Sequence, residues 1–330
     1  MSNQNTSTSS TETAEAVLGA PSVPKRRSRS EWFYLKKNSE LLLLLFPGAL
    51  LILIFAYLPM FGVVLAFKDY RYDMGILGSA WVGLKNFEFF FVSENAWRIT
   101  RNTVLYEGAY MITTTTVALA FAILMNEIRR KWIRIHQTAL FIPYCLSWVV
   151  VSYLTSAFLD HSSGYLNQLL SSLNQNTHMW YLESQPWPSI LLTVQLWKSV
   201  GFSALVYFAG IMGINHEYYE AARIEGATRW QLATRITLPL LSNLITVLII
   251  LSIGNIFKGD FGLHYFIPNN SGMTFPTTDI IDTYVYRALS VFGDIGMSSA
   301  VGLYQSFVGL VLVVLANYVV RKINDENALF

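Results

Sequence analysis

The sequence predicts an all-α integral membrane protein with six transmembrane helices. Of its 330 residues, 53% are hydrophobic and only 13% are charged, which is about half the charged share of a soluble domain. The mean hydropathy is +0.39. A helix needs about 20 apolar residues to cross the hydrocarbon core. Six stretches almost free of Asp, Glu, Lys and Arg approach or exceed that length: 41–67, 108–126, 137–159, 189–213, 236–257 and 295–320.

The apolar stretches are continuous, so they lack the alternation that barrel strands require. Backbone groups in lipid must be satisfied within the segment, and helices achieve this. Pro47, Pro59 and Pro143 lie in or near the spans, where they predict local kinks. Because the sequence has no Gly-x3-Gly pair, we expect the helices to pack through other small residues, such as Ala and Ser.

Lysine and arginine residues predict the orientation of these spans. Of the 23 in the chain, Lys198 lies within a span, fifteen lie at the termini and in the loops after the second and fourth spans, and seven lie in the other loops. Loops rich in these residues stay in the cytoplasm. The sequence therefore predicts a multi-pass protein of the cell membrane with both termini cytoplasmic.

The first 40 residues differ in composition from the rest of the chain. Residues 1–24 are rich in Ser and Thr, and residues 25–37 carry six basic side chains together with Trp32. We expect 1–40 to form a disordered, basic cytoplasmic segment and 41–330 to form the transmembrane domain. The basic stretch is either a topology signal or an anchor at the lipid surface. The following apolar run is too long for a signal-peptide core.

One predicted cytoplasmic loop, 214–239, is long and polar. Its first part, His216 to Glu225, lacks Gly and Pro and favours a helix. Gly226 can end that helix with a positive φ, and Thr228 can cap a second short helix that runs through Arg235. We expect Pro239 to stop the second helix and to set the start of the fifth span.

The residue spacing in this loop resembles the EAA loop of binding-protein-dependent ABC importer permeases. The matching pattern is Glu220-Ala221-Ala222, three residues, Gly226, nine residues, Ile236, one residue, then Leu238-Pro239. In that family the loop docks in a cleft of the ATPase subunit. The resemblance implies that Glu220, Ala221, Ala222 and Gly226 are the docking residues.

Other segments resemble the polysaccharide-type branch of the carbohydrate-uptake permeases. They are Phe46-Pro47-Gly48, Tyr57 to Met60, Ala66 to Tyr70, Trp81 to Phe87 and Asp282 to Arg287. This resemblance implies a type I ABC importer permease fold and transport of complex oligosaccharides, including acidic ones derived from pectin or alginate. It also implies three kinds of partner in a bacterial cytoplasmic membrane: two ATPase subunits, a second related permease subunit and an extracytoplasmic solute-binding protein.

The chain carries no recognisable catalytic or cofactor motif. The sequence has no Gly-Lys pair, so a phosphate-binding P-loop is absent. If ATP drives transport, a separate subunit must therefore bind it. The five histidines are scattered, and Cys145 has no partner for an internal disulfide. We expect neither a cofactor, a metal site nor an enzyme activity in this chain.

Several side chains within the spans are candidates for the sugar path. Lys198 is a charge deep in the fourth span, where it should face the bundle interior or a wet cavity. It either contacts the sugar, pairs with a carboxylate such as Glu107, or extends its amine towards the interface. Aromatic and amide side chains suit the apolar faces and hydroxyls of sugars. The other candidates are Trp148, Tyr153, Gln195, Trp197, Tyr207 and Asn255.

Two groups of alternatives stay open. Arg287, Asp279 and Asp282 either contact the solute-binding protein or hold their own loop in place. The chain as a whole is either an oligosaccharide permease, an ABC permease for another solute, or a self-sufficient secondary transporter. The last alternative is disfavoured because we find no internal repeat. An intramembrane enzyme is also disfavoured, because the sequence contains no recognisable set of catalytic residues.

Overall fold

A computed structural model describes residues 38–92 and 94–323, so the predicted N-terminal tail lies almost entirely outside the described residues. The chain divides into two compact units, 1–61 and 62–330. In the first unit, helix α1 (Ser39–Ile52) begins two residues before the predicted domain boundary and contains Pro47. A π-helical turn follows at Leu53–Tyr57.

In the second unit, a short β-hairpin precedes the main helices. Strands β1 (Lys68–Asp69) and β2 (Ala80–Trp81) pair antiparallel, and helix α2 (Gly75–Gly78) lies between them. A 3-10 helix at Leu58–Phe67 leads into β1. The remaining helices are α3 (Lys85–Val92), α4 (Glu94–Asn126), α5 (Arg130–Cys145), α6 (Trp148–Leu159), α7 (Tyr165–Ser172), α8 (Trp187–Met212), α9 (His216–Ile224), α10 (Arg229–Leu232), α11 (Leu238–Gly254), α12 (Phe261–Phe266), α13 (Phe275–Thr278), α14 (Ile281–Phe292) and α15 (Ile295–Ile323).

The predicted third span is broken rather than continuous. Helices α5 and α6 meet at an angle of 94° after Cys145. Pro143 lies in the last turn of α5, and the Leu146 N–H bonds to its carbonyl instead of extending the helix. Ser147 then caps α6 by accepting a hydrogen bond from the Val150 N–H. Among the described residues, five helices are long and apolar enough to span a membrane, or six if this bent pair is one span.

Helices α4 and α8 form the centre of the second unit and run in the same direction. Their N-terminal halves share one core cluster, which contains Tyr106, Tyr110, Trp187 and Leu191. Their C-terminal halves share a second cluster, which also includes Leu241 from the start of α11. Helix α11 therefore runs antiparallel to α8. Parallel second and fourth spans, with an antiparallel fifth span, are what the predicted topology requires.

Glycines allow close helix approaches in addition to the small alanines, of which Ala118, Ala122 and Ala204 pack together between α4 and α8. A Cβ on Gly201 of α8 would lie 1.7 Å from the Leu140 carbonyl oxygen of α5. A Cβ on Gly309 of α15 would lie 2.6 Å from the carbonyl oxygen of Gly254 in α11. Gly201 lies against the Leu140 backbone, and Gly309 against Gly254, so each close approach joins two different helices and a search for Gly-x3-Gly spacing along one helix does not find it.

The segment between α11 and α15 is ordered by its own polar contacts. Asp260 caps α12 by accepting a hydrogen bond from the Leu263 N–H at 3.2 Å. Gly293 ends α14 in the left-handed conformation, with φ of 67°. This segment lies beside the N-terminal halves of α4 and α8, because Leu263, Ile267 and Ile280 belong to the first core cluster.

Candidate functional site

The 214–239 loop folds largely as its local sequence predicts. Helix α9 follows Asn215, whose side chain accepts a hydrogen bond from the Glu217 N–H at 3.1 Å. Gly226 has a φ of 84°, which only glycine adopts at little cost. Thr228 caps α10 in a capping box with Gln231. The predicted helix–turn–helix shape is therefore confirmed.

The expectation that Pro239 stops the second helix is wrong. The helix continues from Arg229 to Gly254, and a π-helical turn occupies Ala233–Thr237 just before the proline. Pro239 lacks the N–H that would bond to the Arg235 carbonyl. A π turn changes the local hydrogen-bond register, so the helix accommodates the proline without ending.

The predicted docking residues lie in the second half of α9 and in the turn that follows it. Glu220, Ala221 and Gly226 are exposed, and Ala222 is half-buried. No partner chain is present, so their docking role stays a prediction. Their exposure leaves the Glu220 carboxylate and the small alanine face open to a protein partner.

Three large exposed side chains in this loop were not predicted as interaction residues from the sequence. Tyr218, Ile224 and Trp230 are 57%, 88% and 76% exposed. Exposed apolar residues grouped on a polar segment are typical of an interaction surface. The signal was visible in the sequence as apolar residues within a helix–turn–helix that is otherwise polar.

Buried contacts join α9 to the π turn that continues into α11. The Tyr219 hydroxyl hydrogen-bonds to the Thr237 hydroxyl at 3.0 Å, and both residues are buried. Leu232 is also buried, and its carbonyl accepts a second hydrogen bond from Thr237 at 3.2 Å. An exposed ion pair of 3.3 Å joins Arg229 to Glu127 at the end of α4. The loop is therefore tied to α11 and, more weakly, to α4.

A polar cavity of about 380 Å³ lies between α4, α8 and α11. Most of the residues that line it carry a hydroxyl, amide or carboxyl group, and its aromatic rings are those of Tyr110, Phe202 and Tyr207. It brings together three of the seven predicted path residues, Gln195, Tyr207 and Asn255. The other polar side chains in its wall are Glu107, Tyr110, Thr114, Thr115, Ser199, Ser203 and Ser252.

Lys198 is buried but does not line this cavity. Its Nζ donates to the Tyr144 carbonyl at 3.0 Å and lies 4.9 Å from the centre of the Trp148 ring. Trp148 in turn donates to the Asp260 carboxylate at 2.9 Å. Lys198 therefore makes these contacts and does not pair with Glu107, which was one of the alternatives. The amine satisfies a carbonyl at the end of α5, where the broken span leaves carbonyls without helical partners.

Trp148, Trp197 and Tyr153 are not brought to the polar cavity. Trp197 lines a separate, apolar cavity of about 670 Å³ beside α6, and Tyr153 is 74% exposed. The one-dimensional sequence placed all three near the middle of a span. The faces of Trp148 and Tyr153 depend on the break between α5 and α6. Trp197 lies two residues after Gln195 on α8, so it faces another side of that helix.

A buried histidine joins the cavity wall to the segment after α12. The His264 Nδ1 lies 2.8 Å from the Thr278 carbonyl oxygen, and its Nε2 lies 3.2 Å from the Tyr110 hydroxyl. Because a carbonyl only accepts, Nδ1 carries the proton and Nε2 accepts from Tyr110. Burial lowers the pKa of His264 to about 4, so the imidazole is neutral at pH 7.

The acidic residues of the 279–287 segment hold their own loop. Asp279 is buried, and its carboxylate accepts from Arg287 at 2.6 Å. The Arg287 guanidinium lies 4.0 Å from the centre of the Phe275 ring. Asp282 accepts from the Gly259 N–H at 2.8 Å, and burial raises the pKa of Asp282. Of the two alternatives for these residues, the geometry favours a structural role.

Comparison with known proteins identifies the family. Residues 95–325 match the family described as binding-protein-dependent transport system inner membrane component. The chain belongs to this family. The permease is 35% identical to the protein LplB of Bacillus subtilis over 96% of this chain and 99% of LplB. It is 33% identical to YteP of the same species, a polygalacturonan/rhamnogalacturonan transport system permease, over 95% of this chain and 98% of YteP.

Solved structures confirm the type I permease fold. A bacterial alginate ABC transporter in complex with a periplasmic protein that carries an alginate pentasaccharide contains a chain with a TM-score of 0.79. That chain is 33% identical, and the match covers 88% of the permease and 97% of the alginate transporter chain. The permease is therefore a multi-pass transport subunit of an ABC importer for sugars or polysaccharides. This excludes the self-sufficient secondary transporter.

Within the part of the chain that the structure describes, no group of three or more His, Cys, Asp or Glu side chains could hold a metal ion. The chemistry that these residues offer is hydrogen bonding to a polar solute and contact with protein partners. Both are consistent with a transport subunit.

Proposed function

We propose that this permease passes complex oligosaccharides across a bacterial cytoplasmic membrane, driven by two separate ATPase subunits that dock on the 214–239 loop. An extracytoplasmic binding protein delivers the sugar, and a second, related permease completes the path. One observation carries the proposal: the loop continues through the π turn into α11 and forms an ion pair with Glu127 at the end of α4, and both of these helices line the polar cavity.

The coupling step follows from these attachments. Closure of the ATPase would displace Glu220 to Gly226, and the buried Tyr219–Thr237 contact would carry that displacement into α11. Cavity residues 248–255 lie farther along the same helix. Movement of α11 against α8 would open the cavity alternately to the two sides of the membrane.

The orientation proposed for this mechanism places both termini in the cytoplasm. The excess of Lys and Arg at the termini and in the loops after the second and fourth spans supports it. The parallel arrangement of α4 and α8 is also consistent with it. This orientation puts the 214–239 loop on the side where ATP is available.

The substrate class is supported by the cavity chemistry and by the relatives. The exposed Phe202 ring and the hydroxyl and amide groups of the cavity match the apolar faces and hydroxyls of pyranose rings. The names of YteP and of the alginate transporter support the expectation of pectin- or alginate-derived fragments.

A charge reversal at Glu220 tests the docking role. The complete transporter, with its ATPase, sister permease and binding protein, would be reconstituted with Glu220→Arg or with Glu88→Arg, an exposed control residue on α3. We expect Glu220→Arg to lower ATPase co-purification and sugar-stimulated ATP hydrolysis at least about tenfold. Thermal unfolding should stay unchanged in both variants, because Glu220 is exposed.

Two outcomes would contradict the proposal. One is normal ATPase binding and stimulation in the Glu220→Arg transporter. The other is sugar transport by the purified permease pair in vesicles that contain no ATPase subunit. The second outcome would show that transport does not depend on ATP hydrolysis.

A further inference from the structure

The polar cavity contains two acceptor atoms that no described residue satisfies. Glu107 Oε1 and Gln195 Oε1 are both buried and have no hydrogen-bond partner among the described residues. Both residues line the cavity, Glu107 from α4 and Gln195 from α8. An unsatisfied buried acceptor is costly, so this wall is suited to a ligand that supplies hydrogen-bond donors.

The same wall offers no cation to a negatively charged ligand. Glu107 is the only Asp or Glu among the residues that line the described cavity, and no Lys or Arg lines it. Lys198 is held by the Tyr144 carbonyl and the Trp148 ring. Two further acids, Asp260 and Asp282, lie near Glu107.

These observations distinguish the two kinds of group that an oligosaccharide presents. A sugar hydroxyl can donate to Glu107 Oε1 in either protonation state of the carboxyl and can donate to the Gln195 carbonyl oxygen as well. A sugar carboxylate only accepts, and it would lose its water without gaining a cation. When Glu107 is ionised, the two like charges also repel each other.

We propose that Glu107 and Gln195 form a hydroxyl-binding subsite that favours neutral pyranose units over free uronates. The inference rests on the proposed function and deepens it by naming the substrate class. Ester-capped uronate units meet the same requirement, because esterification removes the charge and leaves the ring hydroxyls. This preference differs from the acidic polysaccharides for which YteP and the alginate transporter are named.

A pair of probes with the same ring hydroxyls tests the proposal: trigalacturonate and its trimethyl ester, which differ in the charge of the carboxyl groups and in the added methyl groups. Initial uptake of each probe would be measured with the complete reconstituted transporter, carrying the wild-type permease, Glu107→Gln or Gln195→Arg. Because each transporter uses the same binding protein, the preference of that protein cancels when the ester-to-acid uptake ratios are compared. Glu88→Gln is the control, since Glu88 lies outside the cavity.

We expect the wild-type transporter to take up the ester faster than the acid. Both cavity variants should lower the ester-to-acid uptake ratio. The decrease should be about tenfold when Glu107→Gln removes a full negative charge or Gln195→Arg adds a full positive one. The control should keep the wild-type ratio. An unchanged ratio in both cavity variants would overturn the subsite but leave the proposed function intact. Wild-type transport of neither probe, with no stimulation of ATP hydrolysis, would count against the proposed function itself.

A second measurement uses the wild type alone, in case a variant fails to assemble. A membrane-permeant carbodiimide modifies carboxyl groups, and mass spectrometry reports the modification at Glu107. The reagent is kept in large excess over the carboxyl groups of the probe, because free trigalacturonate also reacts with it. We expect the trimethyl ester to protect Glu107 more strongly than trigalacturonate does. Equal protection by the two probes, or protection by the acid alone, would overturn the preference for neutral units.

Discussion

Lys198 shows how a charged side chain within a span serves structure. Its amine contacts the Tyr144 carbonyl at 3.0 Å and lies over the rings of Tyr144 and Trp148. Both rings and the carbonyl belong to the break between α5 and α6. The side chain therefore stabilises the point where one helix ends and the next begins.

We expect Lys198→Met to destabilise the permease without changing its sugar preference. Loss of the donor leaves the part-buried Tyr144 carbonyl without this partner, at a cost of about 1 kcal/mol. Thermal unfolding should occur at a lower temperature, while uptake of neutral and acidic oligosaccharides should fall by the same factor. Lys85→Met, at an exposed site on α3, is the control. A changed ratio of neutral to acidic uptake at unchanged stability would place Lys198 in the path.

Burial of His264 makes the free energy of unfolding depend on pH. Burial lowers its pKa from 6.5 to about 4, and the groups packed around it are the Tyr106 and Tyr110 rings and the Thr278 carbonyl. Between these two values the unfolded chain binds a proton that the folded chain does not. The free energy of unfolding should therefore decrease as the pH falls from about 6.5 towards 4.

Denaturation over this pH range would measure the effect of His264. A His264→Gln variant should lose this component of the pH dependence, although it should be less stable at pH 7. Replacing the exposed His161 by Gln should leave the slope unchanged. The same slope in the His264→Gln variant would show that another group is responsible.

At the scale of elements, α9, the π turn and α11 form one connected unit, and we expect them to move together. We call this unit the lever. Tyr219 joins α9 to Thr237 in the turn, and the turn continues directly into α11. The exposed Arg229–Glu127 pair adds little to this connection. The rigidity of the lever therefore depends mainly on one buried hydroxyl pair.

Removing either hydroxyl of this pair should weaken both stability and coupling. We expect Tyr219→Phe and Thr237→Val each to lower the free energy of unfolding by about 1 kcal/mol. The double variant should cost less than the sum of the two, because both single variants remove the same contact. Sugar-stimulated ATP hydrolysis should fall in parallel. Tyr218→Phe is a matched control at an exposed neighbour, and additive effects of the two variants would contradict the lever.

At the scale of the whole molecule, the proposed topology can be tested with single cysteines. Cys145 would be replaced by Ser, and one cysteine would be introduced at Ser172 or at Glu225, both of which are exposed. We expect a membrane-impermeant maleimide to label the cysteine at 172 in intact cells. The cysteine at 225 should react only after the cells are permeabilised. Labelling of both sites in intact cells would refute the orientation.

The sequence predicts the local shape of the 214–239 loop well, because neighbouring residues determine it. Asn215, Gly226 and Thr228 act within one turn of their own position. Pro239 is the exception, since its effect depends on whether the preceding turn can widen. The fold class and the family could also be predicted from the sequence, because hydropathy indicates the fold class and the residue spacing in the loop indicates the family.

The sugar path was predicted only in part, because which face a side chain occupies depends on packing. Gln195, Tyr207 and Asn255 lie in one cavity, whereas Trp197 and Tyr153 point elsewhere. The placement of Tyr153 depends on the 94° bend between α5 and α6, and that of Trp197 depends on which face of α8 lies towards α6. Pro143 predicted a local kink, but its sequence position did not give the size of the bend. The unsatisfied acceptors of Glu107 and Gln195 became visible only once their surroundings were known.

The contact between Lys198 and Tyr144 also has a consequence for how the protein is made. The two residues are 54 positions apart, so at about 5–20 residues per second a ribosome adds the lysine roughly 3–11 s after the tyrosine. During that interval the nascent chain holds an exposed carbonyl where α5 ends. Water or the insertion machinery must solvate that oxygen until α8 arrives, so the bend becomes final only late in synthesis.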